Sequence, residues 1–187
     1  MFKLNRIFEG FPTISTTKFD MRLIRPSDRS ELLSIYSDEE SVKYQAMHLM
    51  ENETKANQMI EMISNGYECK YFARWGITDK ETDKLVGIVS IHHIDYKNNS
   101  SQIGYILNKA YWNKSIMTHI VSDTIDYLFK EVELKRLIAE IHPENKASIR
   151  LSEKLGFKKE GVSVDSIFNP STNKYENRII MSLVNSI

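Results

Sequence analysis

The chain has 187 residues, with 25 basic and 25 acidic side chains and a formal net charge of zero. With 41% hydrophobic and 27% charged residues it has the composition of a soluble globular protein, and its length suits one domain over residues 1–187, with 1–10 as an N-terminal extension. Charge balance removes the bulk electrostatic argument for a nucleic-acid partner. The single cysteine, Cys69, excludes an intramolecular disulfide and a multi-cysteine zinc site. No apolar run approaches the ~18 residues of a membrane span. Met1 to Arg6 lacks the apolar stretch of a signal peptide, so a cytoplasmic protein without a membrane partner is expected.

In chain order, Phe19 to Arg25 reads as a strand that Pro26 ends. Ser27 to Glu31 offers a helix start, with Asp28 as cap and Glu31 reaching back, and Leu32, Leu33, Ile35 and Tyr36 as its apolar face. Ala56, Met59, Ile60 and Ile63 form one helical stripe in a helix from about Asn52, stopped by Asn65-Gly66. Tyr71 to Thr78 alternates as a strand with Tyr71, Ala73, Trp75 and Ile77 on one face. After a charged turn, Leu85 to Ile94 is a β-branched, continuous strand expected at the centre of a sheet, and Gln102 to Leu107 returns beside it. Ile116, Ile120, Val121, Ile125, Leu128 and Phe129 repeat at helical spacing. A strand at Leu137 to Ile141 precedes a helix that starts at Asn145 and ends at Gly156. Two final strands, Lys158 to Phe168 and Lys174 to Val184, flank an Asn-Pro-Ser-Thr-Asn turn. This order predicts an α/β (α+β) fold: a mixed central sheet with helices on both faces.

Tyr111 to Thr118 joins a strand to a helix start. Such a start exposes unpaired N–H groups and a partial positive charge, a site for a phosphate-like anion. Lys114 adds charge there, and Ser115 and Thr118 add hydroxyl donors. Read without further context, the segment is an ordinary loop with Ser115 as a plain N-cap, since most helix starts bind nothing.

Six features in order carry a wider resemblance. They are Phe11-Pro12 through Leu23-Ile24-Arg25-Pro26-Ser27-Asp28; Leu85-Val86-Gly87-Ile88; Ile103-Gly104-Tyr105-Ile106-Leu107; Tyr111-Trp112; Asn145-x-x-Ser148 to Leu155-Gly156-Phe157; and Glu160-Gly161. Together they resemble the GNAT acetyltransferases, in the RimJ/RimL-like branch of N-terminal acetyltransferases, from Phe11 to the C-terminus. The resemblance implies acetyl-CoA as cosubstrate, held where two parallel strands ending near Leu107 and Ile141 splay apart. It places the pantetheine arm along Ile106, Leu107 and Asn108, and the pyrophosphate on the backbone of Asn113, Lys114, Ser115, Ile116, Met117 and Thr118. Asn145 would bond the arm. Ser148 is implied as the group that protonates the departing thiolate, and Ser152 stands where other branches carry an acidic tyrosine. The implied reaction is direct attack of a neutral amine on the thioester, with no metal.

The chain departs from this family at several positions. Its phosphate loop normally reads Trp-Gly-Lys-Gly, and here Asn113 and Ser115 replace both glycines, which predicts weakened acetyl-CoA affinity. A frequent glutamate falls at Gln102, a frequent glutamate of the loop helix falls at His119, and a proposed base falls at Ile167. Asp165, two residues earlier, is the first substitute base and Glu140 the second; His142 lies close to Asn145. Tyr44, Tyr67, Tyr71, Tyr105 and Trp75 are candidates for lining the acceptor cleft, with Trp75 and Tyr105 preferred. An α-amine, with pKa about 7.7–8.0, needs a dedicated base less than an ε-amine does. The expected acceptor is therefore a protein N-terminal α-amine, ribosomal in the family's pattern. Two alternatives stay open: a small amine such as an aminoglycoside or polyamine, drawn by Glu39, Glu40, Glu51 and Glu53, and a weakened GNAT fold serving as a CoA-binding or interaction module. The terminal strands offer sheet edges for a homodimer.

Overall fold

Eight strands form one mixed sheet in the computed structural model, which describes residues 3–186. Met1 and Phe2, the first positions of the segment read for a leader, and Ile187 lie outside the described residues. The strands are β1 (Ile14–Ser15), β2 (Phe19–Leu23), β3 (Ala73–Asp79), β4 (Leu85–Asp95), β5 (Ser100–Leu107), β6 (Arg136–Ile141), β7 (Lys158–Asn169) and β8 (Lys174–Val184). They lie in the order β1-β2-β3-β4-β5-β6-β8-β7, which puts the β-branched β4 in the interior as expected. Every pairing is antiparallel except β5 with β6.

Two apolar clusters sandwich the sheet. On one face, α1 (Arg29–Tyr36) and α3 (Glu53–Glu68) bury Leu32, Ile35, Ala56, Ile60 and Ile63 against Leu85, Ile88 and Ile106. On the other, α4 (Ile116–Lys130) buries Ile120, Val121 and Leu128 against Val89, Ile91 and Ile103. Helix α5 (Lys146–Lys154) packs Ile149, Leu151 and Leu155 on this second face. A short α2 (Glu39–Val42), capped by Asp38 accepting from Ser41 N, has too few residues to leave a periodic signal. Within the segment read as an N-terminal extension, a 3₁₀ turn over Lys3–Phe8 places Leu4 and Ile7 in the core.

Three local expectations are corrected. Asp28 does not cap α1 with its side chain; it is buried, accepts from Arg25 N, and forms a two-pronged ion pair with Arg22 at 2.8 and 2.9 Å. Asn65-Gly66 does not stop α3, which runs on to Glu68. The Phe72 ring fills the space a Cβ at Gly66 would take, 2.1 Å from its Cζ, so this glycine serves close packing inside the helix. Tyr71 does not join the buried face of Ala73, Trp75 and Ile77; it precedes β3 and is 72% exposed.

Candidate active site

Strands β5 and β6 pair only at Ser100↔Arg136, Ser101↔Leu137 and Gln102↔Ile138. Beyond Gln102 they run on unpaired to Leu107 and Ile141, so a wedge opens between them. The carbonyls of Tyr105 and Leu107 turn away from β4, accepting instead from Gln45 Nε2 at 3.5 Å and Trp112 Nε1 at 2.8 Å. The wedge opens into a cleft of about 730 Å³, bordered by the segment after α2, the end of β5, the loop into α4, and α5.

Asn113, Lys114, Ser115, Ile116, Met117 and Thr118 all line this cleft. Their six backbone N–H groups meet no acceptor among the described residues, the first α4 bond being His119 N to Ser115 O. Ser115 stands at the N-cap with φ +57° and offers no side-chain cap, and Asn113 has φ +59°. Both replaced glycine positions thus keep the left-handed backbone that aims the amides outward. Lys43, Lys114, Lys146, Arg150 and Lys154 border the cleft against Glu40 and Glu144, a surplus of positive charge suited to a polyanion. Lys146, Arg150 and Lys154 recur every fourth residue, one stripe of α5.

Ile106 and Leu107 also border the cleft. Asn108 is absorbed into the chain's own turn: its N–H donates to Val86 O and its Oδ1 accepts from Ala110 N. Asn145 caps α5 through Oδ1, which accepts from Ser148 N, and leaves its Nδ2 unpartnered among the described residues. Ser148 Oγ lies 2.7 Å from the Tyr105 hydroxyl. Tyr105 is also in hydrogen-bond contact with Ser152, which is buried behind it. Burial pushes the Tyr105 phenol above its ordinary pKa, against the bonds from Ser148 and Ser152, and keeps it protonated. Neither residue type nor spacing in the sequence announced this hydroxyl chain, because its members come from two elements that only the wedge brings together.

The other sequence candidates are placed elsewhere. Trp75 is fully buried, donates to Pro12 O and packs against Phe11 and Tyr127. Tyr67 donates to Ile7 O at the base of the core, whereas Tyr44 borders the cleft. Asp165 is exposed in β7, at φ +47° inside a register shift between Ser163 and Ile167; the alternation that put it beside Ile167 fails there, and it does not line the cleft. Glu140 is exposed, held by Gln102 Nε2 at 2.7 Å across the vertex of the wedge, and lies outside the cleft lining. His142 stacks on Tyr44 with ring centroids 5.0 Å apart and faces Glu176 at 3.9 Å. His119 is exposed on the first turn of α4. Of the four glutamates read as an acidic cleft, Glu40 lines this one and Glu53 pairs with Arg29. Among the described residues no group of three or more His, Cys, Asp or Glu side chains could hold a metal ion, and no helix is long and apolar enough to cross a membrane.

A parallel pair that parts at mid-strand, over a helix start with free amides, defines a class: acyl transferases that seat a phosphate-bearing carrier in the gap. Residues 18–158 match the family described as "Acetyltransferase (GNAT) domain". The chain is 31% identical over 152 residues to the uncharacterised N-acetyltransferase YoaA of Bacillus subtilis (strain 168), covering 81% of this chain and 86% of that one. A GNAT-family acetyltransferase from Bacillus anthracis superposes with TM-score 0.81 at 22% identity, over 94% of this chain and all of that one. Mycobacterium smegmatis RimJ, solved with CoA-disulfide, superposes with TM-score 0.82 at 17% identity, over 92% of this chain and 87% of that one. The chain belongs to the GNAT acetyltransferase family and is an N-acetyltransferase.

Proposed function

We propose that the chain transfers the acetyl group of acetyl-CoA to a primary amine, by preference the α-amine of a protein or peptide N-terminus. The carrying observation is the run of six open amides from Asn113 to Thr118 at the mouth of the wedge. They suit the pyrophosphate, and the cationic stripe of α5 suits the remaining phosphate charge. The unpaired edge of β5 suits a pantetheine arm, with Asn145 Nδ2 free to donate to it.

In this reading the neutral amine attacks the thioester carbon. A C–N bond forms, the C–S bond breaks, and the electron pair leaves on sulfur. Ser148 Oγ gives its proton to that thiolate and recovers one from the Tyr105 hydroxyl, 2.7 Å away, and the phenol, held protonated by burial, takes its proton back from water in the cleft once product leaves. Tyr105 thereby passes from a candidate for the acceptor cleft to the second donor behind Ser148. Among relatives, the putative ribosomal N-acetyltransferase YdaF of Bacillus subtilis is 27% identical over 150 residues. A spermidine N(1)-acetyltransferase of Vibrio cholerae is 24% identical over 92 residues, about half of each chain. The longer match and the lower pKa of an α-amine favour the peptide acceptor.

Calorimetry with acetyl-CoA, followed by thiol release over a panel of peptides, lysine and spermidine, tests the proposal. Binding with turnover on free but not N-blocked peptides is expected. Turnover on spermidine alone would move the acceptor to polyamines, and absence of binding would leave a GNAT fold without its cosubstrate.

A further inference from the structure

The wedge has two faces, and the acid described above belongs to one of them. Tyr105, Ile103 and Leu107 point to the face of α4 and α5, where Ser148 waits. Gln102 and Gly104 point to the opposite face, with their cross-strand partners His92 and Ser90. Gly104 and Tyr105 are neighbours in sequence, so whatever reaches the unpaired edge of β5 there meets both faces within about 3.4 Å of strand.

On that opposite face His92 leans over Gly104. A Cβ at Gly104 would stand 3.3 Å from His92 Nε2 and 3.2 Å from Ser90 Oγ, so the glycine lets the ring's Nε2 lie close over the strand. The other nitrogen, Nδ1, lies 2.7 Å from Nδ1 of His93, with the rings edge-on at 71°. Two bare lone pairs cannot approach so closely, so one of them carries a proton. Neighbouring residues of a strand normally point to opposite faces. The rings meet because β4 is irregular between His92 and Asp95, with His93 at φ +48°, a conformation that is strained for a side chain of this size. His92 and the exposed His93 both line a cavity of about 670 Å³ with Lys70, Phe72, Arg74 and Tyr96; His92 does not line the cleft itself, and an amine would meet it from this side of the strand edge.

We propose that His92 and His93 form a two-ring relay that removes the proton of the acceptor amine. This rests on the acetyl-transfer reading above. As the C–N bond forms, the amine proton passes to His92 Nε2, while the proton on His92 Nδ1 passes to His93 Nδ1. His93 releases its Nε2 proton to water. Once product has left, His93 takes a proton from water at Nε2 and returns its Nδ1 proton to His92, while His92 gives up its Nε2 proton to water in the wedge, which restores the starting tautomers. Base and acid thus stand on opposite faces of one strand edge: the amine loses its proton on the His92 side, and the thiolate gains one on the Ser148 side. The charged groups that face the pair are Arg74 on β3 and, across Gln102, Glu140 on β6. Burial, then His93 and Arg74, pushes the His92 pKa down to about 4, so the ring is neutral at working pH; the lower basicity is offset by handing the Nδ1 proton on to His93 in the same step.

The test is His92→Gln, His93→Asn and Glu140→Gln, measured on whichever amine the wild type accepts. His92→Gln is expected to lower kcat about 10²-fold at pH 7 with acetyl-CoA affinity unchanged. Its residual rate should climb with pH where the wild type has levelled off. His93→Asn should lose less and regain rate with added imidazole, and Glu140→Gln should lose less than His92→Gln. A His92→Gln enzyme with wild-type kcat and pH profile would overturn the relay. Failure of the peptides with success of another amine would overturn only the acceptor, and the relay would then be read on that amine. Independently of turnover, ¹⁵N spectra of the imidazoles in the ligand-free protein should show His92 protonated at Nδ1; a His92 protonated at Nε2 would overturn the proposal.

Discussion

Asn113 and Ser115 hold left-handed φ values of +59° and +57° without the freedom of glycine. The strain is roughly 1 kcal/mol for an ordinary side chain and less for asparagine. The sequence reading took the lost glycines as a threat to cosubstrate affinity, but the side chains have not re-aimed the amides. Restoring both glycines should therefore act mainly on folding. The double variant Asn113→Gly, Ser115→Gly should bind acetyl-CoA within tenfold of wild type, a difference under about 1.4 kcal/mol, which calorimetry would measure. A larger gain would mean that the Ser115 Cβ does press on the ligand. The hydroxyl chain offers a second check at this scale. Tyr105→Phe removes the donor behind Ser148 and leaves the ring, so kcat should fall by about tenfold or more while acetyl-CoA affinity holds. An unchanged kcat would return Tyr105 to a packing role.

Among the elements, the repeating signals were legible: the alternation of β4, the stripes of α3 and α4, and the glycine that ends α5 at φ +89°. Illegible were features set by partners distant in sequence. Asp28 looks like a cap because the sequence places it before a helical stripe; its partner Arg22 belongs to β2, and the pair is closed by folding. Gly66 looks like a stop because nothing local shows that the Phe72 ring needs its space. Asp165 looked aligned with Ile167 because alternation carries no sign of a bulge. The same limit hid the His92–His93 contact, which a regular β4 would not allow. Two substitutions check this reading. Asp28→Ala takes the two-pronged bond from a buried guanidinium and leaves it only the exposed Asp83 carboxylate and two carbonyls, which should cost about 1.5–3 kcal/mol, seen as a lower urea midpoint. Gly66→Ala forces the Phe72 ring aside and should cost about 1–3 kcal/mol at the corner between α3 and β3.

At the scale of the whole molecule, the same groups set how stability depends on pH. In the unfolded chain His92 titrates at its ordinary value of 6.5, and in the folded chain at about 4. Between those values the unfolded state binds more protons, so stability must fall as pH drops from 6.5 towards 4, and the loss is complete below the folded value. At about 1.36 kcal/mol per pH unit the shift corresponds to a loss on the order of 3 kcal/mol. Carboxylates act at lower pH. Arg22 holds Asp83, and Arg136 holds Glu160, below their ordinary ranges, so their contributions are present at neutral pH and fade as pH falls through their folded values. Acid should therefore weaken the protein in two stages, the first due to one histidine. Urea midpoints taken at pH 7.5, 6.0 and 5.0 should decline for the wild type and stay nearly level for His92→Gln, which has no ring to protonate when unfolded. Parallel declines in the two proteins would mean that His92 is solvated in the folded state, and an imidazole so solvated would not remain neutral over Gly104.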